Sequence, residues 1–196
     1  ISLYKSLLSG KNLSIDITLK EFYNYSNIEL HIYTFELNEF ITIDMSYKTH
    51  PDIKLLDAIR MSCSLPLIIK PICQDNKCYI DGGICANYPI NECLENEKCD
   101  ENEILGFKNF GKEVKLIHEN SNIGDYINII IRKCITIIKN KTIPNISNEL
   151  HLHTDGISVE LLIESLCDRD VRENLVNNGK NMAKYFLQYK NHTDIV

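Results

Sequence analysis

Residues 57–66, DAIRMSCSLP, and residues 79–90, YIDGGICANYPI, are the stretch on which the fold is read. Asp52 to Met61 reads as a short helix with Ile53, Leu56, Ala58 and Ile59 turned inward. It stops at Ser62-Cys63-Ser64, and Pro66 prevents its resumption, because proline lacks an N–H and restricts the residue before it. Lys77 to Ile80 reads as a short strand that delivers the chain into Asp81-Gly82-Gly83. An Asp at the carboxyl end of a strand lies where open α/β sheets place their ligands. The two glycines are expected to accept positive φ and to let backbone or substrate approach closely. Taken alone, Asp-Gly-Gly reads first as a tight turn, since Asp-Gly is among the commonest turn dipeptides.

Upstream of this stretch, Leu19, Phe22 and Tyr23 fall at helical spacing within residues 17–25. Thr18 with Glu21 three residues on has the form of a capping box. Ile28 to Leu37 alternates as a strand, and Phe40 to Met45 reads as its antiparallel continuation. Downstream, Ile104 to Phe107 is another strand candidate, and His151 and His153 fall on a short one. Tyr126, Ile127, Ile130, Ile131, Cys134, Ile137 and Ile138 mark the apolar face of a long helix. A last helix opens with Asp170 as N-cap and Glu173 at its third position, with Leu175, Met182 and Phe186 inward. Strands alternating with helices predict an α/β sheet covered on both faces. No repeat or linker divides the 196 residues, so one domain is the simplest organisation.

Composition narrows the function classes. Hydrophobic residues make up 44% of the chain and charged residues 24%, as in globular domains. A net charge of −6 argues against a general nucleic-acid footprint, which needs clustered Lys and Arg. The acidic stretch from Glu95 to Glu103 reads as solvated surface. No apolar run is long enough for a membrane span, and no secretory leader pattern is present. A cytoplasmic location follows as the expectation. The glycosylation acceptor tripeptides, such as Asn12-Leu-Ser14, read as products of an Asn-rich composition.

The chain has eight cysteines, five of them at Cys73, Cys78, Cys85, Cys93 and Cys99. A disulfide framework belongs to short secreted chains, and zinc sites need a second closely spaced pair that is absent here. Ordinary reduced thiols and no metal are therefore expected. His151 and His153 share a strand face without a Cys or carboxylate partner at metal-ligand spacing, so they too are not read as ligands.

The ordered series resembles the patatin-like phospholipase family. It comprises Thr18-Leu19-Lys20-Glu21-Phe22-Tyr23, the helix end at 57–66, Pro71, Asp81-Gly82-Gly83 and Asn87-Tyr88-Pro89. The resemblance is close over residues 17–110 and looser to the last helix, Asn174 to Leu187. It implies a three-layer α/β/α patatin-like sheet, here incomplete at the N-terminus, with residues 1–196 forming the carboxy-terminal portion of a single domain. It also implies lipid acyl hydrolysis by a Ser–Asp dyad that needs no cofactor. Asp81 would be the catalytic aspartate, Gly82 and Gly83 its motif turn, and a phospholipid or other acyl-ester lipid the substrate, with peripheral contact at a membrane surface and action on soluble esters both left open.

One departure from the family pattern matters. No G-x-S-x-G occurs in the chain, since Ser9-Gly10 and Gly156-Ile157-Ser158 lack the flanking glycine, and the glycine-rich oxyanion loop is absent too. In the family both precede the DGG segment, so the nucleophile is expected upstream of Ile1, in a part not included in this chain. The alternative is a non-catalytic patatin-like binding or scaffold module. Ser62 and Ser64 read as helix-terminating residues, and Arg60 as an ion-pair anchor of the same helix. Leu65, Leu67 and Ile68, with Ile69 and Ile72, supply apolar surface for either the core or an acyl-chain pocket.

Overall fold

The computed structural model describes residues 2–66, 69–110, 117–138, 144, 146–153, 161, 164–165 and 167–193. Contacts divide the chain into two compact units, residues 1–89 with 133–140 and residues 90–132 with 141–196. Each is described by itself.

The first unit opens with helix α1 (Ser2–Ser9) and helix α2 (Leu19–Ser26). The capping box forms as expected: the Glu21 N–H donates to Thr18 Oγ1 at 3.2 Å, and the Thr18 N–H donates to Glu21 Oε2 at 2.8 Å. Asn27 ends α2 in the left-handed region at φ 53°, which an Asn tolerates better than most residues. Strands β1 (Ile32–Glu36) and β2 (Ile41–Met45) then pair antiparallel, Ile32 opposite Met45 and Glu36 opposite Ile41. Helix α3 (Leu55–Ser62) follows, three residues shorter at its start than the expected helix. Strand β3 (Ile72–Gln74), which periodicity did not reveal, and strand β4 (Lys77–Asp81) form a hairpin across Asp75 and Asn76. Both turn residues have positive φ, 51° and 61°, the signature of a tight two-residue hairpin turn.

These strands make one antiparallel sheet in the order β2-β1-β4-β3. Period-two alternation splits its side chains between two faces. Met45 and Tyr79 pack with Leu55, Ala58 and Met61 of α3 in one core cluster that also takes Leu8, Ile17 and Leu19. Phe35 and Ile80, directly opposite one another, pack on the other face with Ile84 of the short helix α4 (Gly83–Ala86). The α/β class with helices on both faces is therefore present in this unit.

A carboxylate ties the sheet together. Glu36 is fully buried and accepts N–H groups from Cys78 at 2.8 Å, Glu39 at 2.6 Å and Asn38 at 3.1 Å. It thus holds the β1–β2 turn and the adjoining edge of β4 at once. Those donors, Cys78 first, hold its pKa below the ordinary glutamate range.

The second unit contains helix α5 (Ile90–Glu97), strand β5 (Gly106–Phe110), helix α6 (Ile123–Ile138, continuing into the first unit), strand β6 (Glu149–His153) and helix α7 (Arg169–Thr193). β5 and β6 pair parallel, Gly106 opposite Glu149. In α6, Tyr126, Ile127 and Ile130 are exposed and Ile129 is buried, while the side chains of Ile131, Cys134, Ile137 and Ile138 lie outside the described residues. One expectation is corrected here. In α7, Asp168 and not Asp170 caps the start, accepting the N–H groups of Asp170 at 2.7 Å and Val171 at 3.3 Å. Asp170 already lies inside the helix, while Leu175, Met182 and Phe186 are half-buried, as expected, together with Val171.

Candidate active site

Asp81 is the last residue of β4 and stands opposite Thr34 of β1. Its backbone is fixed from two sides. The Asp81 N–H donates to the Ser64 carbonyl at 3.0 Å, tying the strand end to the end of α3. One residue earlier, the fully buried Thr34 donates its hydroxyl to the Ile80 carbonyl at 2.8 Å. The end of α3 is fastened in turn: Ser64 Oγ donates to the Arg60 carbonyl at 2.6 Å, and the Cys63 N–H to the Ile59 carbonyl at 3.0 Å. Ser64, 1% exposed, therefore terminates the helix as expected, and Arg60 faces Asp57 at 3.7 Å.

The glycines are required for a reason other than the expected one. Gly82 has φ −65°, ψ −24°, and no glycine among the described residues has positive φ. A Cβ on Gly82 would overlap the Tyr33 carbonyl, only 2.5 Å from its carbon. The β1 backbone passes too close for any side chain. At Gly83 a Cβ would lie 2.9 Å from Asp81 Oδ1 and 3.1 Å from Asn87 Oδ1. Its bare N–H instead donates to Asp81 Oδ1 at 2.7 Å. Among the described residues Oδ2 of Asp81 makes no hydrogen bond, so one carboxylate oxygen is tethered and the other is unengaged.

Asp81, Gly82 and Gly83 line an open cleft of about 370 Å³ together with Ser62, Tyr33 and Asn87. Cys63, next to Ser62, has its thiol pushed up by burial and then by the Asp81 charge. His31 also lines the cleft, which no sequence pattern indicated. Its Nδ1 lies 2.8 Å from Asp44 and its Nε2 3.1 Å from Glu29, while Lys48 reaches Glu29 at 2.6 Å. The only local trace of this cluster is the polar alternation of Glu29 and His31 leading into β1. Lys48 above all, then His31, keeps Glu29 below the ordinary carboxylate range. Both imidazole nitrogens lie within hydrogen-bond distance of carboxylates, and His31 forms part of the cleft wall.

Of the acyl-pocket candidates, Leu67 and Ile68 lie outside the described residues. Leu65 is 43% exposed and lines neither this cleft nor a second, more apolar cavity of about 230 Å³ beside α3. That cavity is walled by Tyr4, Leu56, Ile59 and Ile69, with Arg60 and Lys70 also lining it. Ile72 packs against the core. In the other unit, His151 does have a carboxylate neighbour, Glu149 at 2.6 Å, which also pairs with Lys108 at 3.2 Å in a charged cluster.

Residues 2–94 match the model of the patatin-like phospholipase family. A curated relative, the probable lipid hydrolase 463L of Invertebrate iridescent virus 6, is 33% identical over 85 residues, 43% of this chain and 29% of that protein. The matched part of the chain thus spans less than a third of that relative's length. No solved structure matches significantly. No helix among the described residues is long and apolar enough to cross a membrane. With α1 through the start of α5, the DGG turn and the α3 end all inside the matched stretch, residues 2–94 are similar to the patatin-like phospholipase family.

Proposed function

We propose that the complete protein is a lipid acyl hydrolase of the serine type, and that this chain supplies its catalytic aspartate, Asp81. The observation that carries the proposal is the posture of that carboxylate: at a strand end, in a cleft, one oxygen held by the Gly83 N–H and the other unengaged among the described residues. A carboxylate so held is oriented without being neutralised, as a general base must be. In the proposed reaction a serine hydroxyl attacks the ester carbonyl while Asp81 takes its proton. Asp81 then returns that proton to the departing alcohol, and water repeats the sequence to free the fatty acid.

The serine belongs to a G-x-S-x-G elbow that residues 1–196 do not contain, and residues 95–196 are assigned to the same catalytic domain. The substrates are acyl-ester lipids, whether phospholipids, lysophospholipids or neutral glycerides, met at a membrane surface by peripheral contact. The absence of G-x-S-x-G from the chain favours the competing reading, a patatin-like binding or scaffold module without chemistry. Ester turnover by the complete protein, compared with its Asp81→Asn variant, separates the two. Activity that depends on Asp81 supports the hydrolase, and no activity in the wild type supports the module.

A further inference from the structure

We propose that Cys73 and Cys78 form a thiol–disulfide exchange site, which a small-molecule disulfide oxidises to an intramolecular disulfide within the folded β3–β4 hairpin. The two residues are direct cross-strand partners, and their sulfurs lie 3.2 Å apart. The intervening turn, with Asp75 and Asn76 at φ 51° and 61°, sets that register. Cys78 turns both its backbone groups away from β3: its N–H donates to Glu36 at 2.8 Å, and its carbonyl accepts the Leu37 N–H at 2.9 Å. Cys73 and Cys78 are therefore a non-hydrogen-bonded pair, the antiparallel position with Cα atoms about 4.5 Å apart and the closest side chains. That separation falls within the range that a disulfide spans.

The chemistry follows from the difference between the two thiols. Cys73 is exposed and Cys78 half-buried, and the Cys78 thiol is pushed up by its contact with Cys73 and then by burial. Cys73 is the sulfur an external reagent reaches first. As thiolate it attacks one sulfur of the oxidant RSSR, forming Cys73–S–S–R and releasing RS⁻. Cys78 then loses its proton to solvent, attacks the Cys73 sulfur and displaces the second RS⁻. Two protein thiols are oxidised by two electrons and one external disulfide is reduced to two thiols, so the step balances. The hairpin supplies the alignment that makes the second attack intramolecular.

The test treats the complete protein with oxidised glutathione, blocks remaining thiols with N-ethylmaleimide and maps tryptic peptides by tandem mass spectrometry. Cleavage after Lys77 separates the two cysteines unless they are linked. The expected product is a Cys73–Cys78 crosslink that dithiothreitol reverses. It should form at least about tenfold faster in the folded protein than in urea, because the folded hairpin pre-aligns the sulfurs. Cys78→Ser should instead trap glutathione on Cys73, and Cys73→Ser should lose the crosslink. Glutathione accumulating on wild-type Cys73 with Cys78 alkylated would overturn the proposal. So would linkage of either residue to another cysteine, both residues recovered alkylated, or equal rates folded and in urea.

Discussion

The position a Cβ would occupy on Gly82 is already filled by the Tyr33 carbonyl of the neighbouring strand. This contact, and not an unusual φ, is what the glycine after Asp81 provides. It lets the β4 end fold over β1 so that α4 begins at once and the Asp81 carboxylate meets the Gly83 N–H.

Gly82→Ala should accordingly destabilise the protein even though its φ and ψ suit alanine. Forcing a methyl group against backbone costs about 1–3 kcal/mol or more. Urea or thermal unfolding measures it, and an unchanged midpoint would mean that β1 yields at no cost. Gly83→Ala meets side-chain oxygens only, so it should perturb the Asp81 carboxylate more than the fold.

Thr18→Ala should cost about 1 kcal/mol, since it removes the acceptor of the Glu21 N–H at the start of α2. Equilibrium unfolding of the variant checks this. Glu21→Ala should produce a smaller loss, and a double variant no worse than Thr18→Ala alone would show that the two halves of the box act together.

That capping box was legible because both partners are three residues apart. So were the β1–β2 pairing and the place of Asp81 at a strand end, which the alternation before Asp-Gly-Gly announces. The reason for Gly82 was not legible, because the obstructing carbonyl comes from Tyr33, remote in the chain and opposite only once β1 and β4 pair. Glu36 looked like an ordinary strand-end acid, yet its partner Cys78 arrives from another hairpin. The cap of α7 was misplaced by two residues, because Asp168 and Asp170 both suit the position and only backbone geometry chooses between them.

Glu36 predicts a pH dependence. Its pKa is held below the ordinary value of 4.5 by the Cys78, Glu39 and Asn38 N–H groups. A group whose folded pKa is depressed contributes stability that is present above its unfolded pKa and lost as pH falls through its folded pKa. Wild-type stability should therefore decline as pH drops below 4.5, whereas Glu36→Gln should start lower at neutral pH and lose less on acidification. Unfolding midpoints measured down the acid limb test this, and two parallel curves would contradict it.

Residues 1–196 expressed alone should hydrolyse no p-nitrophenyl ester, since no serine in them sits on a G-x-S-x-G elbow. Turnover abolished by Ser62→Ala would instead make Ser62, which lines the Asp81 cleft, the nucleophile.

Asp81 is the proposed proton acceptor in ester hydrolysis. The direct measurement is p-nitrophenyl ester turnover by the complete protein carrying Asp81→Asn, with circular dichroism to verify the fold. Asn retains the shape and can still accept the Gly83 N–H, but it cannot take the serine proton. Turnover should fall by about 10³-fold or more with the fold intact. Activity within about tenfold of wild type would contradict the assignment, since loss of a general base typically lowers the rate by more than that.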